Sequence, residues 1–173
     1  GDGEIPLFMQ WDTRWGYMEY IGGPMGTKGC CPTCLSMVYA GFSGRCDMSP
    51  YIVSRLATES GLCDAEGGTY GEFVGYFAQR VGLEYAEVVD FDAACACLND
   101  NWALVCNLGT GEFTDVGHYV LVTDWADDEG GVHVNDPYNS TVDAQTWPLA
   151  AIYFEGNSVY ALRAGNVVPV CTA

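Results

Sequence analysis

The spacing of apolar residues changes near residue 101, and that change limits the fold more than any other feature of the chain. From Pro32 onward, Leu35, Val38, Tyr39 and Phe42 recur at i, i+3, i+4 and i+7, the period of a helix with one buried stripe. Pro32 suits the first helical position and Gly41 the end. Ser49 before Pro50 opens a second helix through Ile52, Val53 and Leu56. Thr69 followed by Glu72 reads as a capping box for a third, through Phe73, Tyr76 and Phe77, stopped by Gly82. A short fourth helix follows Asp92. Beyond residue 101 the pattern is that of strands. Residues 102–108 and 118–125 are apolar runs with β-branched residues, 127–131 reads as a hairpin turn, 132–135 as the returning strand and 159–162 as a last strand. Residues 5–29 are irregular and aromatic. Helices first and an antiparallel sheet second predict an α+β domain with a cleft between its halves.

The sequence has 173 residues, 49% of them hydrophobic and 13% aromatic, enough for one compact domain over 1–173 that buries roughly 70% of its unfolded surface. No repeat, low-complexity tract or linker interrupts it. Six Lys plus Arg against 23 Asp plus Glu leave a net charge of −17. That field repels phosphate backbones, so nucleic acid is excluded as a partner. The charge is read as a solubility feature rather than as a preference for cationic peptides. No apolar run reaches the ~20 residues of a membrane span. Nine cysteines, at 30, 31, 34, 46, 63, 95, 97, 106 and 171, predict an exported protein with one free thiol and the others paired. Several buried, inert thiols are the alternative. The first residues carry no basic or apolar leader, which fits a trimmed mature start.

The chemistry concentrates where a thiol precedes the first helix, in Gly29-Cys30-Cys31-Pro32-Thr33-Cys34. Unpaired N–H groups and the positive end of the helix dipole favour thiolate there. A thiolate that attacks a carbonyl needs a base and donors for the developing oxyanion. With two histidines in the chain, the base narrows to His118, which begins an apolar strand after Gly117. Asp136 ends the next strand across the hairpin, where its carboxylate can set the imidazole tautomer. His133 reads as an exposed strand residue. The helix over 30–42 is expected to pack on the strand that carries His118.

Cys30, then His118 in Gly-His-Tyr-Val-Leu-Val, then Asp136 in Val-Asn-Asp-Pro-Tyr-Asn, in that order, resembles the bacterial family-39 cysteine peptidases, most nearly the branch not fused to a transporter. The opening Pro-Leu-Phe-Met-Gln-Trp-Asp-Thr-Arg-Trp-Gly is similar to that branch as well. The resemblance runs from residue 5 to about 150. It implies a papain-like fold, an N-terminal helical part packed on a C-terminal antiparallel β-sheet. It also implies hydrolysis of a peptide or protein substrate through an acyl-enzyme thioester, without cofactor or metal. The implied roles are Cys30 as nucleophile, His118 as base, Asp136 as orienting acid and Gln10 as oxyanion donor. One departure stands out: Cys31 occupies the place where the family usually has glycine, so a Cys30–Cys31 disulfide could silence the enzyme.

Other classes use the same residues. Cys31-Pro32-Thr33-Cys34 is a CxxC, the motif of thiol–disulfide oxidoreductases, but no βαβ pattern precedes it. Zinc could recruit Cys31, Cys34, Cys95 and Cys97, a weak spacing signal. A module that keeps the cleft without the chemistry, and a cell-wall amide hydrolase with the same Cys–His pair, complete the alternatives.

Overall fold

The computed structural model describes residues 4–111, 114 and 117–165. Five helices come first: α1 (Met25–Lys28), α2 (Cys30–Ser43), α3 (Pro50–Ser60), α4 (Glu72–Val81) and α5 (Phe91–Asn99). Two small hairpins lie among them, β1 (Glu19–Tyr20) with β2 (Gly23–Pro24) and β3 (Cys63–Asp64) with β4 (Gly68–Thr69). The main strands are β5 (Glu84–Glu87), β6 (Ala103–Leu108), β7 (His118–Trp125), β8 (Gly131–Asn135), β9 (Thr146–Pro148) and β10 (Gly156–Arg163). They form one antiparallel sheet in the order β5-β10-β6-β7-β8-β9. Short helices α6 (Ser140–Asp143) and α7 (Leu149–Glu155) flank β9.

Strand alternation divides the interior in two. Ala103, Val105, Tyr119, Leu121 and Leu162 face a core filled by α2, α3 and α4. Leu104, Cys106, Val120, Val122 and Ala161 face a second core with Ala94 and Leu98 of α5 and Leu149 and Ile152 of α7. The helical part therefore packs on the sheet as expected, while α5 and α7 cover the opposite face.

Several boundaries differ from the sequence reading. α2 begins at Cys30, the start of the expected 30–42 helix and two residues before the Pro32 read as its first position, because the Gly29 carbonyl already accepts both the N–H and the hydroxyl of Thr33, at 3.0 and 2.7 Å. Pro32 then falls in the first turn, where its missing N–H costs nothing. Gly41 does not end the helix, which runs on to a left-handed C-cap at Gly44. Gly41 serves close packing instead: a Cβ there would stand 2.6 Å from Ile5 Cγ1 and 2.9 Å from its Cα. The capping box is not formed. Gly71 is the N-cap of α4, and Thr69 pairs with Cys63 in β4 while its hydroxyl lies 2.6 Å from the buried Tyr20 hydroxyl. α5 starts one residue before Asp92, capped by Asp90, whose carboxylate accepts from Ala93 N–H at 2.7 Å.

Candidate active site

Gly29 sets up the thiol. It joins α1 to α2, and its N–H donates to Met25 O at 2.8 Å. A Cβ at this position would lie 2.8 Å from that same oxygen, so only glycine allows the two helices to meet this tightly. The consequence is a side chain, that of Cys30, displayed at the first turn of α2 and only partly buried, while Cys31 and Cys34 point inward with no exposure. These two neighbours fill the core as small apolar groups, and burial pushes both thiols well above their ordinary range.

α2 packs against β7, with Cys34 Sγ 3.6 Å from Tyr119 O. That contact brings the first residue of β7, His118, beside Cys30, near enough for each side chain to shift the titration of the other. The register of β7 on β8 pairs Leu121 with Asn135, so the turn after β8 is level with His118. There His118 Nε2 stands 2.7 Å from Asp136 Oδ1, which leaves Nδ1 for the thiol. The histidine side chain is 12% exposed and the aspartate 1%. The same Oδ1 also accepts the N–H groups of Tyr138 (2.8 Å) and Asn139 (3.1 Å). Tyr138 meets the His118 ring edge-on, with centroids 6.4 Å apart, and its carbonyl accepts from Trp11 Nε1 at 2.9 Å.

The electrostatics of the three groups oppose simple burial. Desolvation alone would raise the Cys30 thiol. The His118 ring and the N–H groups of Tyr119 and Cys31 bring it below its ordinary value instead. Desolvation would likewise discharge His118, yet its bonds to Asp136 and Cys30, together with their negative charge, lift it to about 10. Both shifts favour the thiolate and imidazolium forms over the neutral pair.

Gln10 is buried at the edge of this group. Its backbone N–H donates to Pro137 O at 2.8 Å, tying the N-terminal segment to the Asp136 turn, and its Nε2 donates to Gly26 O at 3.1 Å. Its Oε1 is buried with no partner among the described residues. The structure thus joins His118 to Asp136 directly, places Cys30 beside His118, and sets Gln10 at the Asp136 turn with its side chain bonded to Gly26 instead. His133 is exposed, as read from the sequence, and pairs with Asp124 at 2.9 Å. A cavity of about 670 Å³ lies beyond β8, lined by Glu4, Asp124, His133, Asn135 and Asp143 among others; neither Cys30 nor His118 lines it.

All eight described cysteines are free thiols, so none of the pairs anticipated from the cysteine count forms among them; Cys171 lies outside the described residues. Four of the thiols bear on the zinc reading. Cys31 and Cys34 belong to the core beneath α2, whereas Cys95 and Cys97 pack on the opposite face of the sheet. Among the described residues no group of three or more His, Cys, Asp or Glu could hold a metal ion. Sequence reasoning did not single out Trp11 or Tyr138 for this site, nor Asp143, whose carboxylate accepts the Asp136 N–H.

The comparisons with known proteins agree with one another. A family model described as "Peptidase_C39 like family" matches residues 3–165. No curated protein matches the sequence. Among solved structures, the fold resembles the peptidase domain of Streptococcus ComA, a bifunctional ABC transporter involved in quorum sensing. The TM-score is 0.62 and the identity 18%, over 92% of this chain and 98% of that one. It also resembles a C39-like peptidase from Bacillus anthracis, with a TM-score of 0.60 and 13% identity over 92% and 94% of the two chains. Sequence match and shared architecture lead to one statement: the chain belongs to the C39-like peptidase family and has its papain-like fold.

Proposed function

We propose that the chain is a cysteine peptidase in which Cys30, His118 and Asp136 act as a triad. The Cys30 thiolate attacks the carbonyl carbon of a peptide bond, and the carbonyl electron pair moves to oxygen. The resulting oxyanion is met by N–H donors at the start of α2 and by the second Nε2 hydrogen of Gln10. Collapse expels the amine, which takes its proton from the His118 imidazolium, and leaves a thioester on Cys30. Water, deprotonated by His118, then attacks the thioester and releases the acid and the thiolate. Asp136 holds the ring in the tautomer that presents Nδ1 to sulfur.

The observation that carries this reading is the continuous chain Cys30–His118–Asp136. In it the thiol is lowered and the imidazole raised against the burial of both. Family membership supplies the peptide as substrate class. Hydrolysis of unfolded casein by the purified protein tests the reading. Cys30→Ala and His118→Ala should each lower the rate by about 10³-fold or more, whereas Cys31→Ser should retain activity. Casein cleavage that survives Cys30→Ala would reject the assignment.

A further inference from the structure

The turn that carries Asp136 contains a second carboxyl with no part in the scheme above. Asp143, the last residue of α6, is partly buried, and its Oδ1 accepts the backbone N–H of Asp136 at 2.5 Å. Asp136 Oδ1 in turn receives the N–H groups of Tyr138 and Asn139. Asn139 caps α6 by accepting from Thr141 N–H at 3.0 Å. Residues 136–143 therefore form a closed ring: the carboxylate at its start holds the middle, and the carboxylate at its end holds the start. A turn on the surface needs no such arrangement. Burial and the neighbouring Asp136 charge push the Asp143 carboxyl up to about 6, and its Oδ2 is buried without a partner among the described residues. Such a cost, set against the one carboxylate that touches His118, points to a requirement of position.

We infer that Asp143 is a positioning residue: through the Asp136 peptide N–H it fixes the direction from which the Asp136 carboxylate meets His118 Nε2. The inference rests on the proposed triad and adds a fourth member that touches neither substrate nor thiol. Without the clamp the Asp136 backbone is free to shift, and its carboxylate no longer meets the imidazole along the same line even while Oδ1 accepts from Tyr138 and Asn139. The imidazolium is then less stabilised, and with it the Cys30 thiolate.

The test is the pH dependence of Cys30 alkylation by iodoacetamide in the intact protein, with the labelled residue identified by peptide mapping. Melting curves confirm that each variant is folded. In the native protein the acid limb of the profile should lie below pH 7. Asp143→Ala should move it upward by about one pH unit, in the direction of the larger shift from Asp136→Asn. Asp143→Asn keeps a carbonyl acceptor for the Asp136 N–H and should restore the native limb. Glu4, Asp124 and His133 line the same cavity as Asp143, and His133→Gln should leave the limb in place. A native limb in folded Asp143→Ala overturns the inference, as does an Asp143→Asn limb displaced as far as that of the alanine variant. Should the alanine variant not fold, Asp143→Leu, which keeps the volume without an acceptor, takes its place: a displaced limb is expected, and a native limb overturns the inference. The triad reading fails separately: if His118→Ala leaves the limb unmoved, His118 does not govern Cys30, whatever Asp143 does.

Discussion

Strands β7 and β8, with the turn after β8, carry two histidine–aspartate pairs, and the contrast between them shows what burial adds to a contact. His118 with Asp136 and His133 with Asp124 each join one strand to its neighbour, at 2.7 and 2.9 Å. The second pair is more than half exposed on both sides, so water screens it and a contribution of about 0–1 kcal/mol is all that can be expected. The first pair is enclosed, and its aspartate accepts two further N–H groups. A thiol at the start of a helix lies beside its imidazole. Distance alone does not separate the pairs; the enclosure and the third group do.

The comparison is broken most readily by removing each histidine in turn. His118→Ala should lower peptidase turnover by about 10³-fold or more, whereas His133→Ala should stay within about twofold of native. Equal losses would mean that the exposed pair belongs to the machinery. The aspartates come next. Asp136→Ala leaves a buried imidazole and two N–H groups unpaired and should cost about 3–5 kcal/mol of stability in urea unfolding; Asp124→Ala should cost less than about 1.

The pairs should also differ in how stability responds to pH. The folded pKa of His118 is about 10, above its unfolded value, so its contribution is complete below about pH 6.5 and is lost as the pH rises toward 10. The stability gap between native protein and His118→Gln should accordingly narrow over that window, while the His133→Gln gap stays small throughout. The smallest effect concerns Asp143. A carboxyl raised to about 6 when folded opposes folding above that pH and not below about 4. Asp143→Asn should thus melt slightly higher than native at pH 8, with the difference gone near pH 4.

Much of the site was legible because chemistry and pattern coincided. A thiol before an amphipathic stripe marked Cys30, and the presence of only two histidines, one at the head of a strand, marked His118. Asp136 followed from the hairpin that links β7 to β8. Gln10 came from resemblance, since nothing local to it predicts burial. Asp143 left no signal: Ser-Thr-Val-Asp reads as surface turn, and its carboxylate acquires meaning only when α6 folds back on Asp136. The fold shows the same division. β7 was bounded correctly because its apolar run and its turn agree. Gly41 was misread as a helix end because Ile5, the residue that requires it, lies 36 positions away. Thr69 was misread as a cap because its hydroxyl is used by Tyr20. β9 has three residues, too few to show a period.

Under the proposed chemistry, position rather than exposure makes one thiol reactive. Cys46 is exposed and Cys30 only partly so, so access favours Cys46, while His118 and the start of α2 favour Cys30. Brief treatment of the native protein with iodoacetamide at pH 6, followed by peptide mapping, measures that order. Cys30 should be alkylated ahead of every other cysteine, with the preference removed in His118→Ala. Labelling of Cys46 first, or of Cys30 and Cys46 at equal rates, would contradict it.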